Sequence, residues 1–523
     1  MKRIYKNYFF NTIKVGVLTA TLGLGSCSDF LDKQPYDIVR ENYYTTAEEV
    51  RAGLIGVYDI LGREQFYGGT YSSFLTLADE GAYYRNNYTA GPEVYNYDAA
   101  NATIVNLWRF LYQGIERANF FLSKVSDTPM DEEEKTAAIG EVKFLRAYYY
   151  FILVTNWGDV PLKTTPTISV TEVDIERTPQ REVYDFITQE MEEADGMVRD
   201  IQEYGHAGRI TKSAVRGVLA RVYLKMAGAP LNDASKYAKA LEWSEKLVFP
   251  TGGQYVHSLI SDYTQIFKDM AADEYNIEES IWEVELYGNR GGDFEAGRIG
   301  NLGGILNTNE PDGYSYGFIA ASRKLFELYE SADERRNWNI ANFYYQGNTS
   351  TNPKVFYVNE IESRHMAKYR RDDEKRLPKN KNYTPINFPL LRYSDVLLMF
   401  AEAENEVNGA TTRATTALKE VRDRVNASDI TSDVSTSVAL RDSIRSERMR
   451  ELCYEGLRKF DLVRYGTFLT EMKQTQQDYT TLAPDNLKYM ALAFRNVSER
   501  DIWFPIPIGE LTLNNLMWQN EGW

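Results

Sequence analysis

The residues best placed to do chemistry in this sequence are tyrosines in two loop-like stretches, and the chemistry they suit is recognition. Tyr83, Tyr84, Arg85, Asn86, Asn87 and Tyr88 set flat rings beside amides and a guanidinium. A second stretch offers Tyr287, Asn289, Arg290 and Asp293, then Tyr314 and Tyr316. A sugar ring has apolar C–H faces and a polar rim. It therefore needs a flat apolar platform with hydrogen-bonding groups fixed around it. Aromatic rings give the platform at low rotamer cost, and Asn, Asp and Arg give the rim. These residues form the candidate ligand-binding set. The competing reading is that loop tyrosines only pack the loops onto the helices.

Catalytic constellations are poorly supported. Glu402 and Glu406 fall on one helix face, with Glu404 turned away. Glycoside hydrolysis needs two carboxylates opposed across a bond, about 5 to 9.5 Å apart, which one helix face does not provide. These glutamates read instead as ion-pair partners for arginines such as Arg392 or Arg422, and Glu447, Arg450, Glu451 and Arg458 read the same way. His206, His257 and His365 are far apart in sequence, without a neighbouring His or Cys at ligand spacing. Carboxylates at Asp262 and Asp269–Asp273 leave a calcium site open. No G-x-S-x-G occurs, and Gly300 to Gly304 lacks the lysine of a phosphate loop. No catalytic residue, metal site or cofactor is assigned.

The first residues say where the chain goes. Lys2, Arg3, Lys6 and Lys14 precede an apolar run, Val15–Leu24, of only ten residues. A membrane-spanning helix needs about 20, so this pattern reads as a secretory signal over residues 1–26. Leu24-Gly-Ser-Cys27 resembles the lipobox of bacterial lipoproteins. That resemblance implies lipid on Cys27 and cleavage before it, with more than one acyl chain holding the protein on a membrane. The other cysteine, Cys453, has no partner, so an exported chain of this kind relies on its core rather than a disulfide. The formal net charge of −16 becomes more negative once the basic leader is lost. That argues against nucleic acid and against direct adhesion to anionic lipid.

The elements that must position the loops read as mostly helical. Apolar periodicity predicts helices over Asp131–Thr155 and Thr211–Met226, the second capped by Thr211 and stopped by Gly228. Further helices are expected near Ala234–Leu247, Ser394–Val407, Ala414–Val425, Val438–Leu452 and Leu457–Arg464. Alanines such as Ala118, Ala147, Ala220, Ala238, Ala401 and Ala417 would let paired helices approach closely. The style is that of tetratricopeptide (TPR) hairpins, without a clean 34-residue period. Trp108, Trp157, Trp282 and Trp503 are expected in the core; Trp338 is left open. Between the helices lie glycine-, asparagine- and tyrosine-rich stretches at Gly68–Tyr97 and Tyr287–Phe318, and a charged one at Asn348–Asn387. Loops this long inside a domain are usually functional or disordered. The expected organisation is one domain over 27–523: a helical part to about 250, a loop-rich insertion with minor β structure over about 250–390, and a helical part over about 391–523.

The motifs together resemble one family. Cys27-Ser-Asp-Phe-Leu-Asp32, with Pro35, is similar to the mature start of SusD/RagB proteins. Trp108 to Ile115 followed by Ala118-Asn119 resembles a helix of that family, as do Glu141-Val-Lys-Phe-Leu-Arg-Ala147 and Asn156-Trp-Gly-Asp-Val-Pro-Leu162. So do Thr211-Lys-Ser-Ala214 with Leu219-Ala-Arg-Val-Tyr-Leu224, Leu391 to Ala403, Glu447 to Arg464, and Trp503-Phe-Pro-Ile-Pro507 with Gln519 to Trp523. Glu521 stands where the family usually has proline.

The resemblance implies a SusD-like α-helical scaffold with TPR-like hairpins and an irregular half carrying the ligand face. It also implies an outer-membrane lipoprotein facing the exterior. Such a protein would bind oligo- or polysaccharide and deliver it to a partner SusC-like TonB-dependent transporter, without catalysis. A peptide-binding RagB-like lid and a surface glycan hydrolase are the alternatives. The family motifs are scaffold motifs, so the candidate tyrosines rest on chemistry alone.

Overall fold

The computed structural model describes residues 43–169, 173–288, 295, 297–347 and 351–523. Cys27 and its leader, Phe30 to Pro35, and Asn289, Arg290 and Asp293 lie outside the described residues. The fold is mostly α-helical. Its longer helices are α1 (Ala47–Tyr58), α2 (Ala102–Lys124), α3 (Glu132–Trp157), α4 (Gln180–Asp195), α5 (Lys212–Ala227) and α6 (Lys236–Val248). After a stretch of short elements come α7 (Tyr393–Asn408), α8 (Thr412–Asp423), α9 (Ser437–Leu452), α10 (Arg458–Arg464) and α11 (Phe468–Thr481).

Local chemistry sets the helix ends. Asp131 accepts the Glu134 amide at 2.9 Å, and Glu132, Glu133 and Glu134 face the positive end of α3, while Gly158 at φ +76° stops it. Thr211 caps α5 through the Ala214 amide at 3.3 Å, and α5 ends at Gly228. Successive helices then pack side by side: α3 lies between α2 and α4, α5 along α6, and α7 against α6, α8 and α9. From Ala137 to Trp157 almost every residue of α3 is buried, so it is the axis of the main core. Ala118, Ala147, Ala220, Ala401 and Ala417 are buried at these crossings; Ala238 is exposed, and Ala240 takes its expected place.

Three two-stranded antiparallel ribbons supply the β structure. They are β1 (Gly81–Tyr83) with β3 (Ile319–Ala321), β2 (Ser280–Val284) with β6 (Phe388–Arg392), and β4 (Phe343–Tyr345) with β5 (Lys354–Phe356). The chain end returns to α3. Trp157 Nε1 donates to the Pro505 carbonyl at 2.9 Å, and Asn520 Nδ2 donates to the Trp157 and Phe504 carbonyls, both at 2.9 Å. Trp108, Trp157 and Trp282 are buried; Trp503 is only half-buried, because it covers Gly158 from the surface side. Trp338 is buried, with the Arg370 guanidinium 4.2 Å from its ring.

The charged motif residues form a buried network joining α9 to β6, α8 and the middle of the chain. Arg392 reaches Glu279 at 2.7 Å, Glu451 at 3.0 Å and Glu455 at 2.8 Å. Arg424 bridges Glu279 and Glu451, both at 2.6 Å, and Arg335 bridges Glu447 at 2.6 Å and Glu451 at 3.0 Å. Burial would push these carboxyls up. The arginines around them prevail, holding Glu447 down at about 2 and Glu451 well below its usual range. The expected partners change in detail: Glu402 pairs with Arg464 and Glu406 with Arg441, whereas Arg392 and Arg422 serve α9. Sequence spacing alone does not show which arginine a fold brings near.

Candidate ligand-binding surface

Pairing of β1 with β3 sets Gly81 opposite Ala321 and Tyr83 opposite Ile319. The Tyr84 amide extends the ladder by donating to the Phe318 carbonyl at 2.7 Å. The loop after Tyr83 and the segment before Ile319 therefore leave the same end of one ribbon. Along 314–318 the side chains alternate: Tyr314, Tyr316 and Phe318 are half-buried while Ser315 and Gly317 are buried.

The result is a continuous ladder of rings. Tyr88 and Tyr83 have centroids 4.9 Å apart, and Tyr83 and Phe318 lie 5.5 Å apart. Phe318 and Tyr316 stack at 4.8 Å with planes 2° apart, and Tyr314 meets Tyr316 edge-on at 4.9 Å. Buried Phe74 supports Tyr83 from beneath at 5.5 Å.

Arg85 clamps the two sides together. Its Nη1 donates to the Tyr84 carbonyl at 2.7 Å and its Nη2 to the Tyr316 carbonyl at 2.8 Å, while its carbon lies 4.4 Å from the Phe318 centroid. The backbone of the second segment is held from behind. Asn301 Nδ2 and Arg371 Nη1 both donate to the Tyr314 carbonyl, at 3.2 and 2.6 Å. Asn86 and Asn87 are exposed beside the rings, and the Tyr88 hydroxyl donates to Glu93 at 2.9 Å. Lys381 sits 5.0 Å over Tyr314. Burial, then Glu93, pushes the Tyr83 hydroxyl up to about 12, so it stays a neutral donor at any physiological pH.

A second group of rings lies around Tyr84. Tyr84 meets His365 at 5.1 Å and Tyr489 at 6.5 Å, and Tyr344 and Tyr357 lie 5.4 Å apart. His365 packs under Gly317, whose φ of +57° and 2.8 Å Cβ clearance to the imidazole leave room for glycine alone. Burial, then Arg85, pulls the imidazole down to about 4. Because its folded pKa lies below the unfolded 6.5, the stability this group allows is present above pH 6.5. It is lost as pH falls toward 4, by about 3 kcal/mol in full. His365→Asn is expected to flatten the fall in denaturation midpoint between pH 6.5 and 4 relative to the parent protein. An unchanged pH slope would contradict this.

Of the candidate residues, the structure thus brings together Tyr83, Tyr84, Arg85, Asn86, Asn87, Tyr88, Tyr314 and Tyr316. Tyr287 sits apart, with Arg376 Nη1 donating to its carbonyl at 2.6 Å and the guanidinium carbon 5.2 Å from its ring. Sequence reasoning missed Phe318, although the alternation Tyr314, Tyr316, Phe318 was its signal. It also missed Tyr344, Tyr357 and Tyr489, which no local pattern links to the ladder. The arrangement is a shallow, rigid aromatic face with amide donors at its edge. Elsewhere, a groove of about 570 Å³ runs between α1, α3 and β2, lined by Leu54, Tyr58, Glu141 and Arg209, and it contains none of the candidate residues.

Comparisons with known proteins agree on one family. The profile described as the SusD family matches residues 278–523, and one described as "Starch-binding associating with outer membrane" matches 29–224. The starch-binding protein SusD of Bacteroides thetaiotaomicron is 24% identical, with all of both chains aligned. A solved SusD homolog from Bacteroides thetaiotaomicron VPI-5482 superposes with a TM-score of 0.84 at 26% identity, covering 93% of this chain and 99% of that one. A laminarin binding SusD-like protein gives a TM-score of 0.71 at 26% identity, covering 92% and all of its own length.

Proposed function

This chain belongs to the SusD family, and we propose that it is a surface lipoprotein that captures oligo- or polysaccharide for a SusC-like TonB-dependent transporter. The observation carrying the reading is the ring ladder from Tyr88 through Tyr83, Phe318 and Tyr316 to Tyr314, held rigid by Arg85. The half-exposed apolar surface of this ring ladder suits the C–H faces of sugars, and the rim of Asn86, Asn87 and Tyr88 can bond their hydroxyls. The names of its relatives, starch-binding and laminarin binding, support the same ligand class.

The protein binds rather than converts. Glu402 and Glu406, the acidic residues closest to an acid/base pattern, are each held in an ion pair, with Arg464 and Arg441, rather than opposed across a cleft. The leader directs export and is lost, and lipid on Cys27 supplies the tether to the outer membrane.

An array of neutral and acidic polysaccharides, probed with the full-length protein in detergent micelles, tests this reading. Retention of at least one polysaccharide, with a dissociation constant of roughly 10 μM to 1 mM and no new reducing ends, is expected. Retention of peptides alone would favour a peptide-binding lid, and new reducing ends would show a hydrolase. Cys27→Ala is expected to lower uptake by cells while leaving polysaccharide binding by the purified protein unchanged. Full uptake by that variant would remove the tether from the account.

A further inference from the structure

The segment carrying Arg364 lies directly beside the ribbon that builds the ligand face. The Ala321 amide donates to the Arg364 carbonyl at 2.8 Å, and the Met366 amide donates to the Ile319 carbonyl at 3.0 Å. This puts the Arg364 side chain at the edge of the second ring group, 5.6 Å from the Tyr357 centroid. Tyr344 meets Tyr357 in turn, and Tyr84 lies within electrostatic reach of it, so this arginine sits beside the rings that surround the ribbon's Tyr84.

A second arginine waits there. Arg364 and Arg336 flank the same ring, with guanidinium carbons 5.0 and 5.3 Å from the Phe326 centroid. Both are half-buried, and neither forms an ion pair with a carboxylate among the described residues. The nearby acids are otherwise engaged. Glu362 and Glu327 both pair with Arg323, at 2.5 and 3.0 Å, and the Glu360 carboxylate accepts the Val358 and Asn359 amides. Arg364 Nε donates to the Glu360 carbonyl at 3.1 Å, and Arg336 Nε is buried without a partner. Arg336 is within electrostatic reach of Arg364, and in a strongly acidic protein two such charges without a carboxylate partner suit a bound anion. The forked guanidinium donors fit a carboxylate or a sulfate, each able to accept two parallel bonds.

We propose that Arg364 and Arg336 form an anion subsite at the edge of the ligand face, taking the carboxylate of a uronic acid or a sulfate ester on the captured glycan. This rests on the glycan-binding reading above and narrows it to acidic polysaccharides. Starch, laminarin and xylan serve as neutral probes. Polygalacturonate, alginate, carrageenan and chondroitin sulfate serve as acidic ones, with carboxyl-reduced or desulfated forms of each as matched controls. All are probed with full-length protein in micelles.

The strongest binder is expected to be acidic, and its reduced or desulfated form is expected to bind at least tenfold more weakly. Arg336→Gln with Arg364→Gln should bring the parent acidic polymer down to the level of its neutral form, while the paired Lys substitutions keep part of the preference. The comparison of charged and neutral polymers on the unmodified protein holds even where the variants fold poorly. Binding of neutral polysaccharides only, or equal binding of charged and neutral forms, overturns this inference and leaves the glycan reading standing. Binding of no polysaccharide overturns both. Unchanged acidic-glycan binding by the Gln variant, with loss of co-purification with the transporter, overturns the inference by giving the arginine pair to a protein partner.

Discussion

Glu451→Gln is expected to destabilise the fold by about 3–5 kcal/mol, the cost of removing one member of a buried ion network. Glu451 is fully buried, and Arg392, Arg424 and Arg335 all converge on it. Removing its charge leaves three guanidinium groups sharing fewer carboxylates in a medium that solvates them poorly. The network also ties β6, α8 and α9 into one body, so the loss is not local. The denaturant midpoint, measured beside the same substitution in an exposed pair, checks the claim. Glu242→Gln, which breaks the solvent-exposed contact with Lys239, is expected to leave the midpoint where it was. Equal effects of the two substitutions would show that the buried network is not what holds the scaffold.

Tyr316→Ala and Phe318→Ala should each weaken polysaccharide binding tenfold or more, about 1.4 kcal/mol each, and together abolish it. The two rings stack on one another with centroids 4.8 Å apart, so they act as a unit and removing one uncovers the other. Tyr316 and Phe318 are half-buried and Phe318 also packs against the main core, so the denaturant midpoint of each variant is measured beside its binding. Tyr287→Ala is the matched control, because Tyr287 lies outside the ladder against Arg376. A Tyr287 variant that loses binding while the double variant keeps it would move the site to the other loop.

Much of the scaffold is legible in the sequence alone. Helices α3 and α5 follow their apolar periodicity to within about two residues, because their capping residues Asp131, Thr211 and Gly228 act locally. Helix α4 has an equally clean repeat of Val183, Ile187, Met191 and Ala194, masked by the many charges between them. Helices α1 and α11 were not assigned either. Partner identity was the harder matter. That Glu402 and Glu451 sit in ion pairs follows from their helical context, but that Arg464 serves one and Arg392 the other depends on how α7, α9 and α10 cross.

The candidate surface divides in the same way. Ring-rich loops could be picked out from composition, yet their meeting depends on a three-residue ribbon between Gly81–Tyr83 and Ile319–Ala321. Such short strands give no usable periodicity, and no rule of spacing joins segments so far apart in sequence. Tyr357, Tyr489 and the two arginines at Phe326 enter for the same tertiary reason. Chemistry read from residue types found the right kind of side chain, and topology decided which of them act together.

Hydrogen–deuterium exchange of the full-length protein, with and without the polysaccharide it retains most strongly, tests the central claim most directly. The account predicts slowed exchange concentrated in 81–91 and 312–320, the two sides of the ring ladder, with the groove between α1 and α3 unchanged. Protection confined to 50–62 and 130–141, with the ladder exchanging as before, would contradict it.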